Sequence, residues 1–329
     1  MLKIITINCI LDFLSRILSV SFLRKQVINR DSLIAERALT RKFIRILSKS
    51  KNPFEEIERK KMYIEFNDNF NKFTVFNMCY ISDMLGKALF AVAMGCFPCF
   101  SVLDEDGDNY FNIYFEPICD YKMLKQCKID VPLIQKNTGN PHWHMNKKEE
   151  YVFALIYERF FVINHAIETN YLEEYEKIRN KINDGKLIGC VIRGTDYVIK
   201  KPSGHPIQPQ IDTIVNELKK IVRKKDYIYL ATEEKKILER IENIFPNQVI
   251  SSDSEYYDDI YRADNINIAE FKFDRENDKF LRGFEYFRRV FCISKCDCYV
   301  GGESGAFRVA RIMNKQKYEV CRIIWLGEY

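Results

Sequence analysis

The chain has 329 residues, 47% of them hydrophobic, which exceeds the usual size of one hydrophobic core and supplies enough apolar material for two. Its formal charge of +5, from 51 basic and 46 acidic residues that mostly interleave, argues against a dedicated nucleic-acid binder and leaves small anionic ligands open. Eleven cysteines without a repeating frame, and no secretory h-region ahead of them, point to a reducing cytoplasm rather than a disulfide scaffold.

The first predicted element is the helix "MLKIITINCILDFLSRILSVSFLRK". Asn8, Asp12, Ser15, Arg16 and Ser19 recur at helical spacing and leave Ile4, Ile7, Ile10, Leu11, Leu14, Leu18 and Phe22 as a wide apolar face. Asp12 and Arg16 make a membrane span costly, whereas the basic residues that follow (Arg24, Lys25, Arg30, Arg37, Arg41, Lys42, Arg45, Lys49, Lys51) suit anionic lipid. Two readings stand: a helix packed on the protein's own core, or peripheral membrane contact through residues 1–50.

Further along, "SDMLGKALFAVAMGCFPCFSVL" predicts a buried helix from about Leu85 to Met94, a break at Gly95 and Pro98, and a short strand. "DEDGDN", from Asp104 to Asn109, has its glycine too early for a calcium loop and is read as a solvated turn. "FNIYFEPI" is aromatic and strand-like, and residues 149–181 form helical runs that end at Asn183-Asp184-Gly185. The expected domains are an amphipathic N-terminal extension (1–52), an N-terminal α/β domain (53–184) and a C-terminal domain (185–329).

From Lys186 the pattern is strand, loop, helix, repeated. "KLIGCVI", "DYIYLA" and "NQVI" are strands, "PQIDTIVNELKKIVRKK" and "KKILERIENIF" are helices, and a helix from about Phe280 precedes the strand "CDCYV". Such alternation predicts a parallel sheet covered on both faces. Ligands bind at the carboxyl ends of such strands, where Arg193, Asp196, Thr232 and Glu233 fall. The Gly-Gly-Glu-Ser-Gly loop then opens a helix near Ala306, whose first amides suit a phosphate. Cys292, Cys296 and Cys298 have a spacing unlike common zinc sites, two of them on a buried strand pattern, so no metal is expected.

Three blocks in this order carry a resemblance. "IRGTDYV" with "HPI" downstream, "IYLATEE", and "ISKCDCYVGGESGAFRVARIM" are similar to the motifs of the GT-B fucosyltransferases, most of all the α-1,6-fucosyltransferase and bacterial nodulation-fucosyltransferase group. The resemblance implies two Rossmann-like domains facing across a cleft, no metal or other cofactor, and inverting transfer of fucose from GDP-fucose to a glycan or glycolipid. Arg193 would then hold the β-phosphate, and Ser304, Gly305 and Ala306 the same diphosphate at a helix start. His205, Thr232, Glu233, Glu285 and Arg308 would complete the donor site. Asp196 would either fix Arg193 or act as general base, and the bland alternatives are a turn residue for Asp196, a structural ion pair for Arg193 and a loop-shaping role for His205.

Three departures from that pattern stand out. Gly194 follows Arg193 where the group carries a second arginine, Val191 stands where it carries a histidine, and Arg289 replaces an acid that reads guanine. Glu285, one turn before Arg289, is the expected substitute reader, and Gly194 is expected to leave room for a diphosphate. Runner-up functions are transfer from another nucleotide sugar and a non-catalytic sugar-nucleotide- or glycan-binding module. An NAD oxidoreductase fits the sequence less well, because no G-x-G-x-x-G follows a predicted strand. Arg193→Ala is expected to slow catalysis at a cost to the fold of no more than about 1 to 2 kcal/mol.

Overall fold

The computed structural model describes residues 2–30, 33–69, 76–103, 109–127, 141–182, 184–258, 268 and 271–329. The chain folds as two α/β units, one holding Met1–Phe70 and Tyr80–Asn164, the other Asn71–Cys79 and His165–Tyr329. The acidic turn at Asp104–Asp108, Asn183 and the side chain of Asp196 lie outside the described residues.

The first unit opens with helices α1 (Leu2–Ile17), α2 (Val20–Arg30), α3 (Leu33–Leu47) and α4 (Glu55–Lys60). The N-terminal run breaks at Leu18-Ser19, where the Ser19 hydroxyl accepts from Phe22 N at 3.1 Å and starts α2. The helices contact the rest of the unit through Arg24, whose guanidinium meets the Glu56 carboxylate at 2.6 and 2.9 Å and donates to Ala93 O at 2.7 Å. Those two charge-assisted bonds hold the Glu56 carboxyl down at about 2. Ser15, read from sequence as part of the outer polar face, is instead fully buried, with its hydroxyl and carbonyl taken by Arg45 and Lys42.

β1 (Met62–Asn69), α5 (Met78–Met94) and β2 (Phe97–Leu103) follow. The predicted buried helix is present and begins earlier; Gly95 (φ +80) ends it in the left-handed region that glycine tolerates. Pro98 lies inside β2 rather than at a break, which an edge strand permits. The aromatic run predicted as a strand forms the helix α6 (Tyr110–Tyr114), because Tyr110, Phe111, Tyr114 and Phe115 repeat at helical spacing and Asn109 caps it through Phe111 N at 3.1 Å. β3 (Lys125–Gln126) completes a parallel sheet of order β2-β1-β3. α7 (Lys147–Phe160) starts with a reciprocal Asn146 and Glu149 capping box.

α8 (His165–Lys181) belongs to the second unit, so the contacts divide the chain at Asn164/His165 rather than at Asn183-Asp184-Gly185. The reason is Tyr171, fully buried against Phe284, Phe287 and Phe291, with its hydroxyl on Phe284 O at 2.8 Å.

The second unit continues with β4 (Leu187–Ile192), α9 (Thr195–Lys200), α10 (Ile211–Ile221), β5 (Tyr227–Thr232), α11 (Lys235–Ile244) and β6 (Val249–Ile250). After α12 (Asp278–Ser294), β7 (Cys298–Gly302), α13 (Gly305–Asn314) and β8 (Val320–Ile324) close it. Every strand pair in this sheet is parallel, in the order β6-β5-β4-β7-β8. β4 is apolar and buried along its whole length, as a central parallel strand should be. Ile188, Cys190 and Ile192 of β4 pack with α10 and α11, while Gly189 backs onto Ile293 and Cys296 at the end of α12. Each large apolar side chain buried in this way stabilises the unit by about 1.5 to 3 kcal/mol.

Candidate active site

The strand order reverses between β4 and β7, and a doubly wound sheet leaves its ligand crevice at that point, beyond the strands' carboxyl ends. β4 and β5 pair residue for residue from Leu187↔Tyr227 to Ile192↔Thr232. The next residue on each strand is therefore delivered to the same edge: Arg193 on one, Glu233 on the other. Arg193 Nε lies 3.4 Å from Glu233 Oε1, with both side chains 11% exposed.

These two residues line a small pocket at the carboxyl edge of the sheet. Its wall on the sheet side is Val191, Arg193, Ala231, Thr232 and Glu233; α12 contributes Tyr286, Arg289, Val290 and Ile293, and α13 contributes Ala306. Arg289 is buried, its Nη1 donating to Thr232 O at 2.9 Å and its Nη2 to the Ser254 hydroxyl. The lining thus carries two guanidiniums against one carboxylate in a poorly hydrated setting, which favours an anionic ligand with oxygens to spare.

Of the residues expected from sequence, Arg193, Thr232, Glu233 and Ala306 come together here. Thr232 is buried and its hydroxyl accepts from Glu234 N at 3.3 Å; the Glu233 carbonyl accepts from Tyr257 N at 2.8 Å. Tyr257 itself is packed against Phe271 and Phe273, and burial pushes its hydroxyl up to about 12. These bonds fix the strand end from which Glu233 projects.

The others sit elsewhere. Ser304 is fully buried as the N-cap of α13, its hydroxyl already accepting from Phe307 N at 3.1 Å. Capping leaves the amides of Gly305 and Ala306 as the first-turn donors without a carbonyl in their own helix. Arg308 is buried one turn further on and is not part of the pocket wall. His205 Nδ1 lies 3.2 Å from Ser203 O, and its backbone carbonyl accepts from Tyr329 N at 3.0 Å; its loop is shaped by pairing with the final residues, outside the lining. Glu285 is drawn off by Arg275, which meets both carboxylate oxygens at 2.7 and 3.2 Å, so it does not reach the pocket as a base reader. Asp196 lies in the first turn of α9.

Gly194 does not open space for a diphosphate. A Cβ there would fall 1.6 Å from Glu234 Oε1, so the buried Glu234 carboxylate fills the place a side chain would take. Sequence reasoning also passed over Tyr286 and Arg289 as site residues. The available signal was spacing: Tyr286, Arg289, Val290 and Ile293 fall at i, i+3, i+4 and i+7, so a charge lies on the buried stripe of an amphipathic helix.

Among the described residues, no group of three His, Cys, Asp or Glu side chains is placed to hold a metal ion. Cys296 Sγ donates to Cys292 O at 3.3 Å, and burial raises the Cys292 thiol to about 12. None of the described helices is long and apolar enough to cross a membrane.

No protein-family profile matches this chain, and no curated protein matches it by sequence. Solved structures that it resembles include the NodZ α-1,6-fucosyltransferase soaked with GDP-fucose, at 16% identity and a TM-score of 0.33, covering 50% of this chain and 47%, about half, of that one. NodZ from Bradyrhizobium is similar at 13% identity and a TM-score of 0.45, over 76% of this chain and 92% of that chain. NodZ co-crystallised with GDP is similar at 12% identity and a TM-score of 0.46, over 82% of this chain and 96% of that chain.

Proposed function

We propose that this protein is a metal-independent, inverting glycosyltransferase that moves fucose from GDP-fucose to a glycan or glycolipid acceptor. The observation that carries the reading is the pair of guanidiniums, the buried Arg289 and the largely covered Arg193, at the carboxyl edge of a parallel sheet where its strand order reverses. When the glycosidic bond to the diphosphate breaks, charge grows on the β-phosphate. A fixed guanidinium in a pocket of low dielectric then stabilises the transition state more than the ground state. Glu233 holds the Nε edge of Arg193 and so positions it. The N-terminal amides of α13 add partial positive charge beside Ala306. Asp196 is the residue proposed to take the proton of the acceptor hydroxyl.

A second reading keeps the chemistry and changes the nucleotide. Arg289 can only donate, and Glu285 is engaged by Arg275, so neither supplies the acceptor that guanine's N–H groups need. A thermal-shift panel of GDP, UDP and CMP separates the two readings. At a hundredfold excess over Kd a native-state ligand adds about 2.7 kcal/mol. GDP is expected to raise Tm and to slow hydrogen exchange at the amides of Gly305 and Ala306. Stabilisation by UDP or CMP alone moves the assignment to the second reading, and no shift with any nucleotide sinks both.

Because two guanidiniums and a helix start supply the positive charge that a metal would otherwise provide, turnover is expected to survive EDTA. Complete loss on chelation, restored by a divalent cation, would contradict a metal-independent mechanism.

A further inference from the structure

α1 is apolar on two sides. Its inner side is fixed: Leu11 and Ser15 are buried, Arg45 of α3 meets the Asp12 carboxylate at 2.9 Å, and Lys42 donates to Ser15 O at 3.2 Å. With that rotation locked, Ile10, Phe13 and Ile17, at i, i+3 and i+7, form an outward stripe that is 50%, 60% and 58% exposed. Phe22, near the start of α2, is exposed as well.

Charge decides what covers this stripe. Residues 1–52 contain eleven basic and three acidic side chains, whereas the whole chain has 51 and 46, so its positive excess lies in this segment and the remainder is slightly acidic. Two of the three acids are already answered: Asp12 pairs with Arg16 at 2.8 Å as well as with Arg45, and Glu36 is buried. Arg16, Lys25 and Lys49 remain exposed around the helices. A second copy of the chain would bring two such basic segments together and be repelled. An anionic bilayer offers both an apolar layer for the stripe and counter-charge for the rim.

We propose that α1 docks this protein on anionic phospholipid membranes, lying in the plane of the interface with Ile10, Phe13 and Ile17 inserted among the acyl chains. The helix is too short and too charged to span. Attachment is therefore peripheral and salt-sensitive.

The test is co-sedimentation of the full chain with phosphatidylcholine vesicles that contain or lack phosphatidylserine. Wild type is expected to sediment with the anionic vesicles, less with the neutral ones, and less again as salt is raised. Phe13→Glu with Ile17→Glu is expected to lower partitioning about tenfold or more while leaving the Tm unchanged, because both side chains are solvated in the free protein. Should the double variant fold poorly, Phe13→Ala gives a smaller loss in the same direction. The proposal is overturned if wild type stays in the supernatant, or if the folded double variant sediments like wild type. It is equally overturned if vesicle-free ultracentrifugation shows a dimer that these substitutions dissociate, since the stripe then belongs to a second copy. GDP stabilisation is read separately, so failure here leaves the transferase reading untouched.

Discussion

Arg193→Ala is expected to lower kcat/KM by about two to three orders of magnitude, the cost of removing one preorganised donor from a developing charge. The structure adds a second effect. Arg193 and Glu233 form a pair with both partners about nine-tenths buried, and truncating one leaves the other's charge in a poor solvent, which costs about 3 kcal/mol or more. The sequence-based expectation of a cost no greater than about 1 to 2 kcal/mol is therefore too low. Combining Arg193→Ala with Glu233→Gln removes the orphaned charge, so stability is expected to return and activity is not. Arg193→Lys is expected to keep the ion pair and much of the stability, yet to recover little turnover, because an ammonium cannot present the planar fork. Steady-state kinetics beside urea denaturation separate the effects. If the double variant turns over at near wild-type rates, Arg193 is a structural ion pair and the catalytic assignment is wrong.

Gly185→Ala is expected to destabilise the second unit by about 2 to 3 kcal/mol, although the residue lies far from the pocket's chemistry. A Cβ at Gly185 would fall 1.8 Å from Lys225 O and 2.7 Å from Lys225 C, both backbone atoms that no rotamer change can move. The opposing turn cannot yield cheaply either. The Asp226 carboxylate accepts from Lys186 N at 2.9 Å and from Arg223 N at 2.8 Å, and Tyr227 N donates to Lys186 O at 2.9 Å. Relief of the clash would pull apart the first rung of β4 and β5, and Tm should fall by roughly 5 to 10 °C. A loss below about 0.5 kcal/mol in chemical denaturation would mean that the turn is softer than these bonds imply.

How much of this was legible in the sequence depended on which force set each feature. β4, β5 and β7 could be read because a parallel strand buried on both faces leaves an unbroken apolar run, and α10 and α11 because their apolar residues repeat every three to four positions. That places Arg193 and Glu233 at strand ends. Their meeting depends on the register Ile192↔Thr232, which no local pattern encodes. α6 was misread because four aromatics in a short run satisfy strand propensity, whereas the Asn109 cap and mutual ring packing decide for helix. Ser15 looked solvated, yet the guanidinium of Arg45, thirty residues away, makes its burial tolerable. Arg289 looked like a defect in a borrowed pattern, and only the folded unit turns its side chain into the pocket as a second cation.

The reversal of strand order between β4 and β7 also sets a schedule for the nascent chain. β4 meets β7 through contacts about 110 residues apart, such as Leu187 N donating to the Asp297 carboxylate at 2.7 Å. β4, β5 and β6, with α10 and α11, all precede that partner in synthesis and pair locally, so Arg193 and Glu233 are neighbours early. Arg289 and Ala306 arrive last, with α12 and α13. In the interval one apolar edge of β4 stands unpaired, which is the kind of edge that recruits other chains. Slow elongation through residues 260–300 would lengthen that exposure, and a chaperone that shields strand edges would act on this protein in that window.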